Sequence, residues 1–314
     1  MHAVTIDDGA LAWREHPDPV PGTGELLVRV RAAGVCRGDL MQRQGMYPPP
    51  PGTTPPERPG LELAGEVVAT GPGTRRFTAG DRVMAVVTGA GQSELAVVPE
   101  IVAIPVPDGV GWDRAGGFPE NYTTAHDALF SQAGLGMGET VCVHGAAGGV
   151  GTAAVELAVA AGARVVASVR SEASRPGVAA LGATVVAPDR FGDAGPFDVI
   201  LELVGGVNMA ANLRALATGG RIAVIGVGAG LSAEISLLDL MGKRGRIHGS
   251  TLRPRPLEDK ARAARAVERH VLPLLASGAV TVPIAATFPL ADAAAAYDRF
   301  AAGGKLGKIV LLAE

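Results

Sequence analysis

Val141-Cys142-Val143-His144-Gly145-Ala146-Ala147-Gly148-Gly149-Val150-Gly151 is the stretch that decides the fold. Its valine-rich start reads as a buried strand and its glycines as a tight turn. The alanine-rich run behind them, Thr152–Ala161, reads as a helix. Strand, glycine turn and helix form the context that a dinucleotide fingerprint requires. Glycine lets the backbone come close to a pyrophosphate, and the helix amino terminus supplies free N–H groups and a positive dipole end. Ala146 stands at the first glycine of G-x-G-x-x-G, so the motif is A-x-G-x-x-G. That signal is weak alone, and a turn needed only for packing is its rival. Ala147, Gly148, Gly149 and Val150 are the residues expected at the pyrophosphate.

Downstream, apolar runs alternate with alanine-rich stretches. Arg164–Val169, Thr184–Ala187, Asp198–Leu203 and Arg221–Val227 read as strands, with helices expected over Pro176–Leu181 and Asn208–Ala217. Near-continuous Val/Ile/Ala runs suit strands covered on both faces, which predicts a parallel, doubly wound sheet. The end of the second strand discriminates between cofactors. An NAD site places an acid there for the ribose 2′-hydroxyl. Here Ala167-Ser168-Val169-Arg170-Ser171 offers none before Glu172. Ser168, Arg170, Ser171 and Arg175 instead suit a 2′-phosphate, so NADPH is favoured over NADH. Leu203, Val204, Ile225 and Gly226, at the carboxyl ends of two strands, are expected to line the nicotinamide side of the crevice.

Upstream of Asp113, short β-type runs are cut by turn residues: Leu26–Val30, Glu66–Ala69, Asp81–Val87, Glu94–Val98 and Val102–Ile104. They predict a compact β-rich domain. The proline-rich Tyr47–Pro59 reads as an extended surface loop within it. Helical patterns are expected from Arg114 to about Ala133 and over Glu258–Ala276, and a last strand over Gly307–Leu312. A chain of 314 residues exceeds the usual size of one core, which agrees with two domains. Its formal charge of −3 gives no field for nucleic acid or acidic lipid. Two cysteines exclude a disulfide scaffold and a cysteine-built zinc site. No secretory signal and no stretch long enough for a membrane span is visible, so a cytoplasmic protein is expected. Many of the 44 glycines fall at defined turns, which rejects low complexity.

Several motifs together carry a resemblance. PVPGTGELLVRVRAAGVCRGDL, RQGMYPPPPG, PGLELAGEVVATG, GDRVMAV, FPENYTTAHDAL, HGAAGGVGTAAVELA, GGRIAVIGVGAG, GSTLRPRP and GKLGKIVLLAE span nearly the whole length. In these the chain resembles the zinc-free, zeta-crystallin-like quinone oxidoreductases of the medium-chain dehydrogenase/reductase superfamily. The resemblance implies an α/β protein, with a Rossmann doubly wound parallel sheet plus a GroES-like β-barrel domain. The barrel would comprise residues 1–116 with 284–314, the nucleotide-binding domain 117–283, and the active cleft would lie between them. It further implies hydride transfer from NADPH to a small-molecule quinone or enone, and a homodimer.

Departures from zinc-dependent relatives are informative. Cys36 fills the cysteine place of Gly-Val-Cys-x-x-Asp, but Leu61 replaces the histidine before Glu62. One Cys with one Glu falls short of the three protein ligands of catalytic zinc, so no metal is expected. Glu156, Val159 and Asp189 also depart from residues common in the family's nucleotide site. Without a Lewis acid, a quinone or enone is the fitting acceptor, because its own carbonyls take the negative charge. Tyr47 is the candidate proton donor or substrate clamp, with a loop tyrosine that shields the cleft as an equal rival. Asp39 matches a family aspartate, more as an organiser of its loop than as a proton carrier. Thr124 matches a threonine beside the nicotinamide, and Lys308 is expected near the cofactor phosphates, with a solvated lysine as rival. His144 reads as a buried, hydrogen-bonded strand residue. The alternatives are an enoyl thioester or enone reductase of a biosynthetic pathway, and a low-turnover NADPH-binding protein.

Overall fold

Asp8 and Gly9, both at positive φ, turn the chain between two antiparallel strands, β1 (His2–Asp7) and β2 (Ala10–Glu15). The computed structural model describes residues 1–50, 52, 55 and 57–313, so part of the proline-rich loop lies outside the described residues. They fall into two compact units.

Unit 1 takes in residues 1–123, 252–303 and those from Lys308 onward. Its first part contains β3 (Glu25–Val35), helix α1 (Arg37–Arg43), β4 (Glu62–Thr70), β5 (Arg82–Val86), β6 (Leu95–Pro99), β7 (Ile104–Pro105) and α2 (Trp112–Gly117). The inward-facing Leu26, Val28 and Val30 of β3 alternate with outward positions, and they pack with Leu63, Val67, Val83 and Val98. The expected strand over 102–104 is shorter. A 3-10 turn occupies Glu100–Val102, where the Glu100 carboxylate accepts the backbone N–H groups of Arg75, Arg76 and Phe77.

Unit 2 comprises residues 124–251 and 304–307. The long helix expected from Arg114 is divided. After α2 come α3 (Pro119–His126) and a π-helical turn, Asp127–Gln132. Pro119 lacks the N–H that a continuous helix would use. Then follow β8 (Thr140–His144), α4 (Gly149–Ala160), β9 (Arg164–Ser168), α5 (Arg175–Ala180), β10 (Thr184–Val186), β11 (Phe197–Glu202), α6 (Met209–Ala215), β12 (Leu216–Val224), α7 (Leu237–Lys243) and β13 (Arg246–Gly249). These six strands form one parallel sheet in the order β10-β9-β8-β11-β12-β13. Numbered from β8 this is 3-2-1-4-5-6, the doubly wound Rossmann order, and its direction reverses between β8 and β11.

The chain then returns to unit 1 with α8 (Leu257–His270), α9 (Leu272–Ala276), β14 (Ile284–Pro289), α10 (Ala293–Ala301) and β15 (Lys308–Leu312). Pro273 at the start of α9 explains why one expected helix appears as two. Unit 2 ends near Thr251, whereas the boundary expected from the sequence lies at 283, because α8 buries Ala263, Ala264 and Val267 and packs on the 100–105 segment. Unit 1 closes its sheet in the order β14-β15-β3-β4-β5-β7, with β6 paired to β3. Among the described residues no helix is long and apolar enough to cross a membrane.

Candidate active site

In unit 2 the glycine turn leaves β8 at the point where the strand order reverses. Gly145 has φ +64°, and Ala146 N–H reaches the Ser168 carbonyl at 3.4 Å, which ties the turn to the end of β9. Helix α4 begins with Gly148 as its N-cap, in extended geometry and without a side-chain cap. The first intrahelical bond runs from Thr152 N–H to the Gly148 carbonyl. The N–H groups of Gly149, Val150 and Gly151 therefore have no intrahelical acceptor and emerge with the positive end of the dipole. A Cβ on Gly151 would lie 2.4 Å from the Gly145 carbonyl oxygen and 2.6 Å from Ala146 Cα, so only glycine lets the helix close on the turn.

At the end of β9, Ser168 and Val169 are buried, Ser171 is half-buried and Arg170 is exposed. Arg175 folds back, donating from Nε to the Val169 carbonyl at 3.2 Å and meeting the Glu172 carboxylate at 3.5 Å. The structure thus brings Ser168, Arg170, Ser171 and Arg175 to one strand end, where Glu172, the one acid of that stretch, faces Arg175.

Leu203 and Val204 follow β11 beside Gly145, about where a Cβ on that glycine would meet them at 3.6 and 3.5 Å. Ile225 and Gly226 follow β12, both donating N–H to the Glu202 carbonyl, at 2.9 and 3.0 Å. Thr124 is buried in α3. Below the crevice lies a network in which only His144 was singled out from sequence. The fully buried Glu202 carboxylate accepts the N–H groups of Val204 (2.7 Å) and Gly205 (2.9 Å) and the side-chain amides of Asn208 and Asn212. The Asn212 carbonyl oxygen meets His144 Nε2 at 2.8 Å, as befits a buried, hydrogen-bonded strand histidine. Burial holds the His144 imidazole below its ordinary pKa, opposed by the nearby Glu202 charge, so His144 is neutral and donates from Nε2. Glu202 thereby fixes the turn that carries Leu203 and Val204. Its sequence signal was an acid at the end of an otherwise apolar strand, Val199-Ile200-Leu201-Glu202.

In unit 1, Cys36 and Asp39 form a capping box at the start of α1. The buried Asp39 accepts the N–H of Cys36 at 2.8 Å and of Gly60 at 3.0 Å, the organising role read for it. Burial pushes its carboxyl above the ordinary range, and those two N–H groups oppose the rise. Tyr47 is half-buried, with its ring and the Leu61 side chain both against Gly38. Arg253, which the sequence reading passed over within GSTLRPRP, is buried and stacked at 4.8 Å over the Tyr47 ring.

Lys308 departs from its expected environment. It is buried at 2% exposure, its ammonium paired with Glu62, 3.8 Å from Glu120 and donating to Asn121 at 3.3 Å. Glu62 and Glu120 raise the Lys308 pKa against the effect of burial, so it stays a cation. That ammonium is already engaged within unit 1, which is neither the solvated lysine nor the free phosphate ligand of the sequence reading. Among the described residues no three His, Cys, Asp or Glu side chains group as a metal site.

The alcohol dehydrogenase GroES-like domain family matches residues 22–134, and the zinc-binding dehydrogenase family matches residues 181–311. The rat quinone oxidoreductase is 32% identical over 307 residues, covering 94% of this chain and 91% of that protein. The human quinone oxidoreductase is 31% identical over the same number of residues, 94% of this chain and 91% of its own. Among solved structures, a mycobacterial protein complexed with NADPH superposes with TM-score 0.88 at 27% identity, over 99% of this chain and 100% of its own.

Proposed function

The chain belongs to the quinone oxidoreductase family of the medium-chain dehydrogenase/reductase superfamily and is an oxidoreductase, and from that premise we propose that it reduces quinones or other α,β-unsaturated carbonyls with NADPH and without zinc. The observation that carries this reading is the pairing of the glycine turn, at the reversal point of a 3-2-1-4-5-6 sheet, with a strand end that offers Arg170 and Arg175. The donor set fits the cofactor: unpaired N–H groups at the start of α4 suit a pyrophosphate, and the basic end of β9 suits a 2′-phosphate. When bound, NADPH supplies a hydride to the electron-poor ring or alkene.

This chain's residues then divide the remaining work. Gly149 and Val150 hold the pyrophosphate by backbone N–H groups, with Ala147 and Gly148 forming the turn against it, the Gly148 N–H being donated to the Gly145 carbonyl at 3.0 Å. Ser168, Arg170, Ser171 and Arg175 hold the 2′-phosphate. Leu203, Val204, Ile225, Gly226 and Thr124 flank the nicotinamide and exclude water. Tyr47 clamps the substrate and can donate its phenolic proton, since an ordinary phenol is protonated at neutral pH. Asp39 acts behind it by holding Cys36 and Gly60 in place. Lys308 stands outside this set as the partner of Glu62.

Zinc independence rests on the donors in unit 1. Leu61 cannot ligate, Glu62 is held by Lys308, and burial pushes the Cys36 thiol well up from its ordinary pKa, against the thiolate that zinc needs. A homodimer is part of the same reading. Leu237, Leu238 and Met241 of α7 are exposed, and β13 ends the parallel sheet with an open edge. The proposed setting is the cytoplasm, where buried free thiols such as Cys36 and Cys142 stay reduced.

The test is NADPH oxidation with ortho- and para-quinones, enones and enoyl thioesters, together with Arg170→Ala. Turnover of quinones is expected, with a preference for NADPH over NADH that falls roughly 10- to 100-fold in the variant, the worth of a charged hydrogen bond. Turnover of enoyl thioesters alone, or NADPH binding with no turnover, would displace the quinone reading. A preference that survives Arg170→Ala intact would remove the 2′-phosphate assignment.

A further inference from the structure

Arg253 sits in a place that asks for an explanation. A guanidinium at 4% exposure has lost most of its water, and among the described residues every oxygen that accepts its N–H groups is uncharged. Nε and Nη2 both donate to the Thr88 carbonyl, at 3.0 and 2.7 Å. Nη2 also donates to Gln42 Oε1 at 2.6 Å, and Nη1 donates to the Tyr47 carbonyl at 2.5 Å. One side chain thus ties together α1, the loop after it and the loop after β5. A buried charge is retained only where such bonds repay its lost hydration.

The Tyr47 ring is held from two sides. The guanidinium lies 4.8 Å from its centroid, and a Cβ on Gly38 would lie 3.2 Å from Cε1 and 3.3 Å from Cδ1. On the Gly38 side the next neighbour is Leu61, 2.6 Å from the same Cβ position. Arg253, far away in sequence, therefore engages both the backbone and the ring of Tyr47. Lysine could not do this, because it has no planar fork to meet three carbonyl oxygens and a ring face together.

We propose that Arg253 is the positioning residue for Tyr47, fixing the loop and ring that meet the quinone or enone substrate. The proposal rests on the reading of Tyr47 as the substrate clamp. Arg253 acts through Tyr47, and the nucleotide site of unit 2 should not feel its replacement.

The experiment compares Arg253→Lys, Arg253→Met, Gly38→Ala, Tyr47→Ala and the double variant Arg253→Lys/Tyr47→Ala, with NADPH and a para-naphthoquinone. Loss of position is expected to lower kcat/KM for the quinone by up to roughly 100-fold in Arg253→Lys and Arg253→Met, mainly through KM. NADPH affinity, read by fluorescence titration, should stay at the wild-type value. Gly38→Ala should give the same kind of defect, because its methyl group crowds the Cδ1–Cε1 edge of the ring and the Leu61 side chain. The double variant should be no worse than Tyr47→Ala, since coupled residues are not additive. Full activity in Arg253→Lys beside a defective Tyr47→Ala would overturn the proposal alone. Wild-type activity in Tyr47→Ala would instead remove the reading of Tyr47. Native hydrogen exchange supplies a readout independent of turnover and of Arg253→Met folding. Arg253→Lys should speed exchange around Tyr47 and Thr88 and leave unit 2 unchanged, and unchanged exchange in both loops would refute the clamp.

Discussion

Lys308→Met separates two roles for that lysine, and its effect can be worked out in advance. In the wild type the ammonium is paired with the fully buried Glu62, with Glu120 at 3.8 Å. Removing it strands a carboxyl in a dry interior, and breaking one half of a buried pair costs about 3–5 kcal/mol. At about 2–4 °C per kcal/mol the transition of unit 1 should fall by roughly 6–20 °C. Glu62→Gln/Lys308→Met should recover much of that loss, because the uncompensated charge is gone. The dependence on pH has a definite sign. Burial pushes the Glu62 carboxyl up to about 7, with Lys308 opposing the rise. A carboxyl whose folded pKa exceeds its unfolded one loses stabilisation as pH climbs from the unfolded value to the folded one. The wild-type loss therefore levels off near pH 7. Without Lys308 the folded pKa rises further, so the variant keeps losing about 1.4 kcal/mol per pH unit above that point. Thermal melts from mildly acidic to alkaline buffer, beside NADPH titrations, read both quantities. A variant with unchanged melting and NADPH affinity weakened tenfold or more would refute this reasoning and return Lys308 to the phosphates.

Gly151→Ala should weaken NADPH binding by between about 5- and 150-fold, the factor that 1–3 kcal/mol of overpacking represents. Its methyl group meets backbone atoms of Gly145 and Ala146, which cannot swing aside, and a fluorescence titration with wild-type affinity would contradict that geometry. Cys36 and Cys142 are buried, and burial pushes both thiols up from their ordinary pKa. Neither should react with a thiol reagent in the native protein, whereas both should react once it is unfolded. Rapid labelling of either one in native protein would count against the burial described.

The parts legible in the sequence were those written in local chemistry. The valine-rich run Val141–His144 lies in β8, because a parallel strand covered on both faces is an apolar run that a glycine ends. The basic end of β9 was equally plain, since Arg170 and Arg175 lie within six residues of each other. The hairpin of β1 and β2 also carries a local signal, Asp8-Gly9 between alternating runs. What local pattern cannot carry is a partner chosen by the fold. Lys308 meets Glu62 only because β15 pairs with β3 and β3 with β4. Arg253 meets Tyr47, Thr88 and Gln42 only after the chain has crossed unit 2 and come back.

The same distinction governs the place where zinc-dependent relatives hold their metal. The exchange of histidine for Leu61 is visible in one letter, and it removes a ligand. What fills the space left by that chemistry is not visible there. Leu61 packs beside the Tyr47 ring on Gly38, Lys308 takes the charge of Glu62, and Arg253 sets a buried positive charge over the same ring. A divalent cation would have to compete with an ammonium for Glu62 and displace an apolar side chain, so the three substitutes support one another. Restoring the ligand alone, by Leu61→His, would therefore leave Glu62 still paired and Tyr47 still clamped. The zinc independence proposed above would then be a property of the packed cluster, carried by residues from four separate segments of the chain.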